Sequence, residues 1–281
     1  MMALQREGWE AIVQEKFETA EKHFEESLEI SFANMEGIAG AAAAAWYLGK
    51  KEKYESLHDL QNYVFTVDVR QFFDEKGFAE LNQDIQAACI SPARSTGKIM
   101  AGPNKGIEYI EEFAKDTIEK LKPIFEISTA ALSKIAGKFP DDPKHPFFAR
   151  KSDEFIVYSK GAKLVDNDTR LSPHIHEGRN PMEGLGVPWM LAVYYPDDAG
   201  FDEDPNRAGW LQLGDISNPY SSMMTLYTPT RQLCPKAGHL VFFPGHFRHG
   251  VLPVSGERER FSINFDFVPK DEKPISGSQS N

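Results

Sequence analysis

The stretch GHLVFFPGHFRHGVLPVSGERERFSINFDFVP, residues 238–269, decides how this chain is read. Residues 240–243 are a short apolar run that stops at Pro244-Gly245, a turn signal. His249 opens a second apolar run, and the charged SGERER makes a hairpin turn. The last run alternates. Phe261, Ile263, Phe265 and Phe267 fall on one face of a strand, and Arg260, Ser262, Asn264 and Asp266 on the other. Such a strand has an apolar side for a core and a polar side for the mouth of a small barrel.

Outward from this block, short β-branched and aromatic segments recur at 155–158, 162–165, 190–195, 210–213, 223–227, 239–243, 250–254 and 261–268. Gly, Pro, Asn or Asp separate most of them, which predicts a β-sandwich or jelly-roll barrel over 148–269. The front of the chain reads differently. Phe17, Ala20, Phe24 and Leu28 recur at helical spacing, residues 40–46 are mostly alanine, and Gly49 closes that run as a C-cap. Further helices are expected over 54–64, 78–88 and 107–121, and FPDDPKHP, with three prolines, ends the helical part. Helices gathered ahead of strands predict an α+β chain. A helical region over 1–68, with the spacing of a degenerate tetratricopeptide unit, precedes a domain over 69–281 with supporting helices over 72–140.

Composition narrows the function classes. The 281 residues carry 31 Lys+Arg against 42 Asp+Glu, a formal charge of −11, which argues against a surface built to cover nucleic-acid phosphates. No apolar run reaches the roughly 18 residues of a membrane span. Two cysteines, Cys89 and Cys234, are too few for a disulfide scaffold or a multi-cysteine zinc site, so a reducing cytoplasm is the expected compartment.

Five of the eight histidines sit in the strand-rich half: His174, His176, His239, His246 and His249. In LSPHIHEGRN, residues 171–180, a strand turns His174 and His176 to one face and Ile175 to the other, a geometry suited to a metal ion. His246 precedes His249 by three, so a regular strand turns it away and makes it the second choice beside His249.

These residues resemble the Fe(II)- and 2-oxoglutarate-dependent oxygenases, in the branch with prolyl hydroxylase-like and bacterial members. The resemblance rests on PHIH, MLAVYYPDD, AGWLQLGD, Pro244 five residues before His249, and Arg260-Phe-Ser262 beginning eleven residues after it. It covers about 148–269 and leaves out the first 60 residues. It implies a double-stranded β-helix, a cupin-like jelly roll. It also implies a non-haem Fe(II) centre held by His174 and His249, and a 2-oxoglutarate anchor at Arg260 and Ser262; Tyr194 and Tyr195 end the strand that should line the barrel, and Tyr195 is the candidate for contact with the co-substrate. O2 is the oxidant, succinate and CO2 leave with the hydroxylated product, and a peptide, protein or amino-acid-like substrate is expected.

One departure stands out. The family's H-x-D/E carboxylate position holds His176, so the third ligand is His176 itself, Glu177, or water; same-face geometry favours His176. Tyr194, Arg179, Asn180, Trp189 and Trp210 are weaker candidates, and DDAGFDED at 197–204 reads as a solvated acidic loop or a selector of basic substrates. The rival reading is a catalytically inactive cupin-like metal or ligand module with a helical docking region, against which Arg260 and Ser262 argue. A cupin-type isomerase or dioxygenase ranks last, having no use for such an arginine.

Overall fold

The structure, a computed structural model, describes residues 1–90, 107–110, 113, 115–164, 169–176, 186–197, 200–201, 204–215, 228–254 and 259–270. Four helices come first: α1 (Met2–Val13), α2 (Phe17–Ile30), α3 (Met35–Tyr47) and α4 (Lys51–Leu57). Asn34 caps α3 by accepting the Gly37 N–H at 2.8 Å. Gly49, at φ +68°, ends it in the left-handed region that the missing Cβ allows. Trp9, Ile12, Phe24, Leu28, Ile38 and the alanine face of α3 form one apolar cluster, in which small alanines let the helices approach closely. The helix expected to 64 stops at Leu57, because the Asp59 carboxylate accepts from the Gln61 and Asn62 N–H groups in a local turn.

Among the described residues ten strands follow from residue 65: β1 (Phe65–Asp68), β2 (Ile107–Ile110), β3 (Phe155–Leu164), β4 (Leu171–His174), β5 (Met190–Tyr194), β6 (Leu211–Leu213), β7 (Arg231–Leu233), β8 (His239–Pro244), β9 (His249–Val251) and β10 (Arg260–Pro269). Two helices lie among them, α5 (Glu75–Ile90) and α6 (Lys115–Ala136). One sheet has the order β1-β8-β5-β10-β3-β2 and the other β4-β9-β6-β7. All strand pairs are antiparallel.

Alternation along the strands builds the layers. Met190, Ala192 and Tyr194 of β5, with Phe261, Ile263, Phe265 and Phe267 of β10, pack in the cluster that holds Ile85 of α5 and Leu121, Ile124 and Leu132 of α6. Leu191, Val193 and Tyr195 turn the other way, into a cluster with Leu211 and Leu213 of the smaller sheet. The result is a helical layer, a six-stranded sheet and a four-stranded sheet, in that order, the α+β plan that the sequence predicts. Among the described residues no helix is long and apolar enough to cross a membrane.

Three local expectations change. Residues 107–110 are strand rather than helix: IEYI pairs along the free edge of β3, and α6 begins only at Lys115. A four-residue apolar run fits either period, so the pairing edge settles it. The segments 155–158 and 162–165 join into the single strand β3, because β10 pairs with it from Arg260↔Leu164 to Pro269↔Phe155. Strands β1 and β7 were not expected at all. The expected strand at 223–227 lies outside the described residues.

Candidate active site

The smaller sheet brings two distant histidines together. In the pairing of β4 with β9, His174 stands directly opposite His249. The register is irregular between Leu171 and His174, where Pro173 has no N–H to give, a residue tolerated because β4 ends its sheet among the described residues. Gly250 makes the close approach possible: a Cβ there would lie 2.5 Å from the Leu171 carbonyl oxygen. His176 follows two residues after His174 and points to the same side. Ring centroids are 4.4 Å apart for His174 and His249, 4.9 Å for His176 and His249, and 5.2 Å for His174 and His176. One ligand atom from each of the three lies within 4.8 Å of the other two, a cluster that could hold a metal ion.

Each imidazole is oriented from behind. His174 Nδ1 donates to the Ser172 carbonyl at 3.0 Å, and His249 Nδ1 to the Phe247 carbonyl at 3.1 Å. His176 Nδ1 lies 2.8 Å from Asp266 Oδ1. Carbonyl and carboxylate oxygens only accept, so Nδ1 is the donor in each contact, and in the neutral ring that leaves the lone pair on Nε2 for a metal. This is the arrangement by which outer partners set the tautomer of metal-binding histidines. Phe243 closes on His249 with its ring centroid 4.9 Å away.

The polar face of β10 supplies the rest. Arg260 is 3% exposed. Its Nε donates to the Gly209 carbonyl at 2.7 Å, Nη1 to Ser262 Oγ at 3.2 Å, and Nη2 to the Tyr195 hydroxyl at 3.2 Å. Burial lowers its pKa from the ordinary guanidinium value and raises that of the Tyr195 hydroxyl beside it. Among the described residues no carboxylate pairs with Arg260. Gly209, at φ +70°, turns its carbonyl to the guanidinium from a conformation that suits glycine.

The structure therefore brings His174, His176 and His249 together, and Arg260, Ser262 and Tyr195 together, and β10 links the two groups. His246 is elsewhere, as the spacing predicts: it is fully buried and donates Nε2–H to the Leu57 carbonyl at 2.7 Å. Tyr194 faces the helical layer and donates to Asn82 Oδ1 at 2.5 Å. Trp189 is in the core, and Trp210 donates to the Phe201 carbonyl at 2.9 Å. Glu177, Arg179 and Asn180 lie outside the described residues, as does part of the acidic loop at 197–204. The residue given no role in advance is Asp266. Its signal was present: it shares the polar face of β10 with Arg260 and Ser262.

Residues 165–266 match the family model described as "Putative 2OG-Fe(II) oxygenase". No curated protein matches the chain. Among solved structures, a prolyl hydroxylase from Trichoplax adhaerens, in complex with a hypoxia inducible factor peptide fragment, is similar at 16% identity and TM-score 0.52. That match covers 83% of this chain and 97% of the other. The non-haem alpha ketoglutarate dependent epimerase SnoN from nogalamycin biosynthesis is similar at 10% identity and TM-score 0.51, over 82% and 88% of the two chains. These likenesses show the fold, a double-stranded β-helix. The family implies Fe(II), 2-oxoglutarate and O2, and the donor set fits: imidazole suits Fe(II), and a buried guanidinium fork suits a carboxylate. Residues 165–266, which carry or border every side chain of this site, are thus the part of the chain that is similar to the 2OG-Fe(II) oxygenase family.

Proposed function

We propose that the protein is a non-haem Fe(II)- and 2-oxoglutarate-dependent dioxygenase that hydroxylates a peptide- or amino-acid-like substrate. His174, His176 and His249 hold the iron. Arg260, with Ser262 and Tyr195, grips the far carboxylate of 2-oxoglutarate. The observation that carries the reading is the convergence of three Nδ1-anchored imidazoles, one of them held by Asp266 of the same strand that carries a buried arginine with which no described carboxylate pairs. Bound there, the metal supplies the redox chemistry: one oxygen atom of O2 enters succinate as CO2 leaves, and the other enters a C–H bond of the substrate.

The protein's own part is binding and orientation. The Arg260 fork engages a carboxylate through two parallel bonds, which fixes direction as well as position. Ser262 and Tyr195 hold the fork in place and add hydroxyl donors to the acid. Phe243 and the apolar inter-sheet cluster keep bulk water from the reacting groups. The peptide-like substrate is supported by the peptide bound to the similar Trichoplax prolyl hydroxylase.

The test is succinate formation from 2-oxoglutarate in air with added Fe(II), followed by NMR. Wild-type protein is expected to release succinate slowly, and faster with peptides that suit the site. His249→Ala abolishes it. Arg260→Ala retains metal but needs at least about thirtyfold more 2-oxoglutarate, the equivalent of about 2 kcal/mol for a truncated buried charge pair. Turnover by the Arg260 variant with an unchanged 2-oxoglutarate requirement would overturn the anchor.

A further inference from the structure

We infer that the N-terminal helices α1–α4 form the rear wall of the metal site, with Glu36, Arg248 and Ile175 as positioning residues that hold the histidine-bearing segments for metal binding. The inference rests on the iron-site reading above and adds residues to it that never touch the metal.

The segment leading to His249 is gripped at three consecutive residues by the helical region. His246 donates Nε2–H to the Leu57 carbonyl at the end of α4, at 2.7 Å. The Phe247 ring packs on His58, with centroids 4.3 Å apart. Arg248 donates Nη2–H to Glu36 Oε1 in the first turn of α3 at 2.5 Å, and both side chains are buried, at 5% and 6% exposure. Phe247 is also the residue whose carbonyl accepts the His249 Nδ1 proton. The helices thus fix the loop whose carbonyl sets the tautomer and direction of His249.

The other histidine segment is held from the same side. Ile175, between His174 and His176, packs against the helical cluster of Trp9, Phe24 and Ile38, as does the buried Val187. The strand β4 has an irregular register and, among the described residues, one neighbour, so its pairing alone specifies the facing of residues 174–176 weakly. Burying Ile175 in the helices settles it: if Ile175 points back, His174 and His176 point forward. Arg150 ties the wall together, donating Nη2–H to the Val187 carbonyl at 2.6 Å and lying 3.8 Å from Met35 Sδ.

The experiment compares Co(II) binding and the Co(II) d–d absorption spectrum of the full chain with its metal-free melting temperature. The paired variant Glu36→Met/Arg248→Met replaces both buried charges by apolar groups, a change that folds tolerate far better than removal of one partner. It is expected to melt within a few degrees of wild type yet bind Co(II) about tenfold more weakly with a shifted spectrum, the size of effect seen for outer partners of metal ligands. Wild-type affinity and spectrum in the folded pair variant would overturn the inference. Should that variant not fold, Ile175→Val decides: it trims one methyl group from the plug and is expected to shift the spectrum, whereas an unchanged spectrum and affinity would overturn the proposal. His249→Ala separates the two claims. If wild type binds no Co(II), or His249→Ala binds it equally well, the iron-site reading fails and the positioning claim fails with it; if only the wall variants are silent, the positioning claim alone fails.

Discussion

Burying a guanidinium is unfavourable unless hydrogen bonds and an anion compensate it. Arg260 has the hydrogen bonds, to Gly209, Ser262 and Tyr195, and in the proposed function the co-substrate acid is the anion that completes the set. Lys at this position keeps the charge but loses the fork. Arg260→Lys is therefore expected to weaken 2-oxoglutarate binding in the metal-loaded protein; titration calorimetry with equal affinities would contradict this. Asp266 meets Nδ1 of His176, one of the three proposed metal ligands. Asp266→Asn preserves shape but removes the carboxylate charge, and metal affinity is expected to fall about 10–100-fold in a folded protein. Unchanged affinity would assign Asp266 a packing role only. His174, His249, Arg260 and Ser262 were legible in advance because their spacing along the chain is unusual. Asp266 was legible only as a member of the polar face. Its partner comes from a segment 90 residues away, a proximity no local pattern encodes.

The strand β10 shows why elements were easier to read than their neighbours. Its period-two pattern runs eight residues, from Arg260 to Phe267, and both faces are used, one against α5 and α6 and one toward the site. The four-residue strands β1 and β2 carry no such redundancy. They are strands because β8 and β3 offer them edges. Gly250 in β9 is an element-scale constraint. An Ala there would meet the Leu171 oxygen and the Pro173 nitrogen, both backbone, at 2.5 and 3.1 Å. Gly250→Ala is expected to destabilise the fold by about 1–3 kcal/mol in urea unfolding and to weaken metal binding through displacement of β4; a neutral effect on both would show that the two strands separate freely. The junction of α4 with the loop before β9 makes a pH prediction. Burial lowers the His58 pKa to about 3, and that of His246 well below the ordinary value, so both are neutral when folded. Unfolded, both titrate near 6.5, so the unfolded state binds more protons below that pH. Their stabilising contribution is complete above about pH 6.5 and is lost as pH falls from there towards 3. Each contributes a slope of up to about 1.4 kcal/mol per pH unit in that window. His58→Phe should flatten the dependence of unfolding free energy on pH between 6 and 4; an unaltered slope would place the acid sensitivity elsewhere.

At the scale of the whole molecule the chain is three layers, with a helical wall behind the site. The two-part plan of helices followed by strands was readable because composition and periodicity change near residue 140. The wall was not. Its helices resemble a partner-binding repeat in sequence, and the residues that join it to the site, Glu36, Ile175 and Arg248, are ordinary in type. Only packing reveals that Ile175 points into the helices and that Glu36 meets Arg248 across 212 residues. The central claim, that three imidazoles and one guanidinium together bind a ferrous ion and a keto diacid, is open to one direct measurement: anaerobic titration of the Fe(II)-loaded protein with 2-oxoglutarate, followed in the visible. The account predicts a weak charge-transfer band that saturates at one 2-oxoglutarate per chain and is lost in His249→Ala. A folded, iron-loaded wild type that develops no band, or a His249→Ala variant that keeps it, would contradict the account.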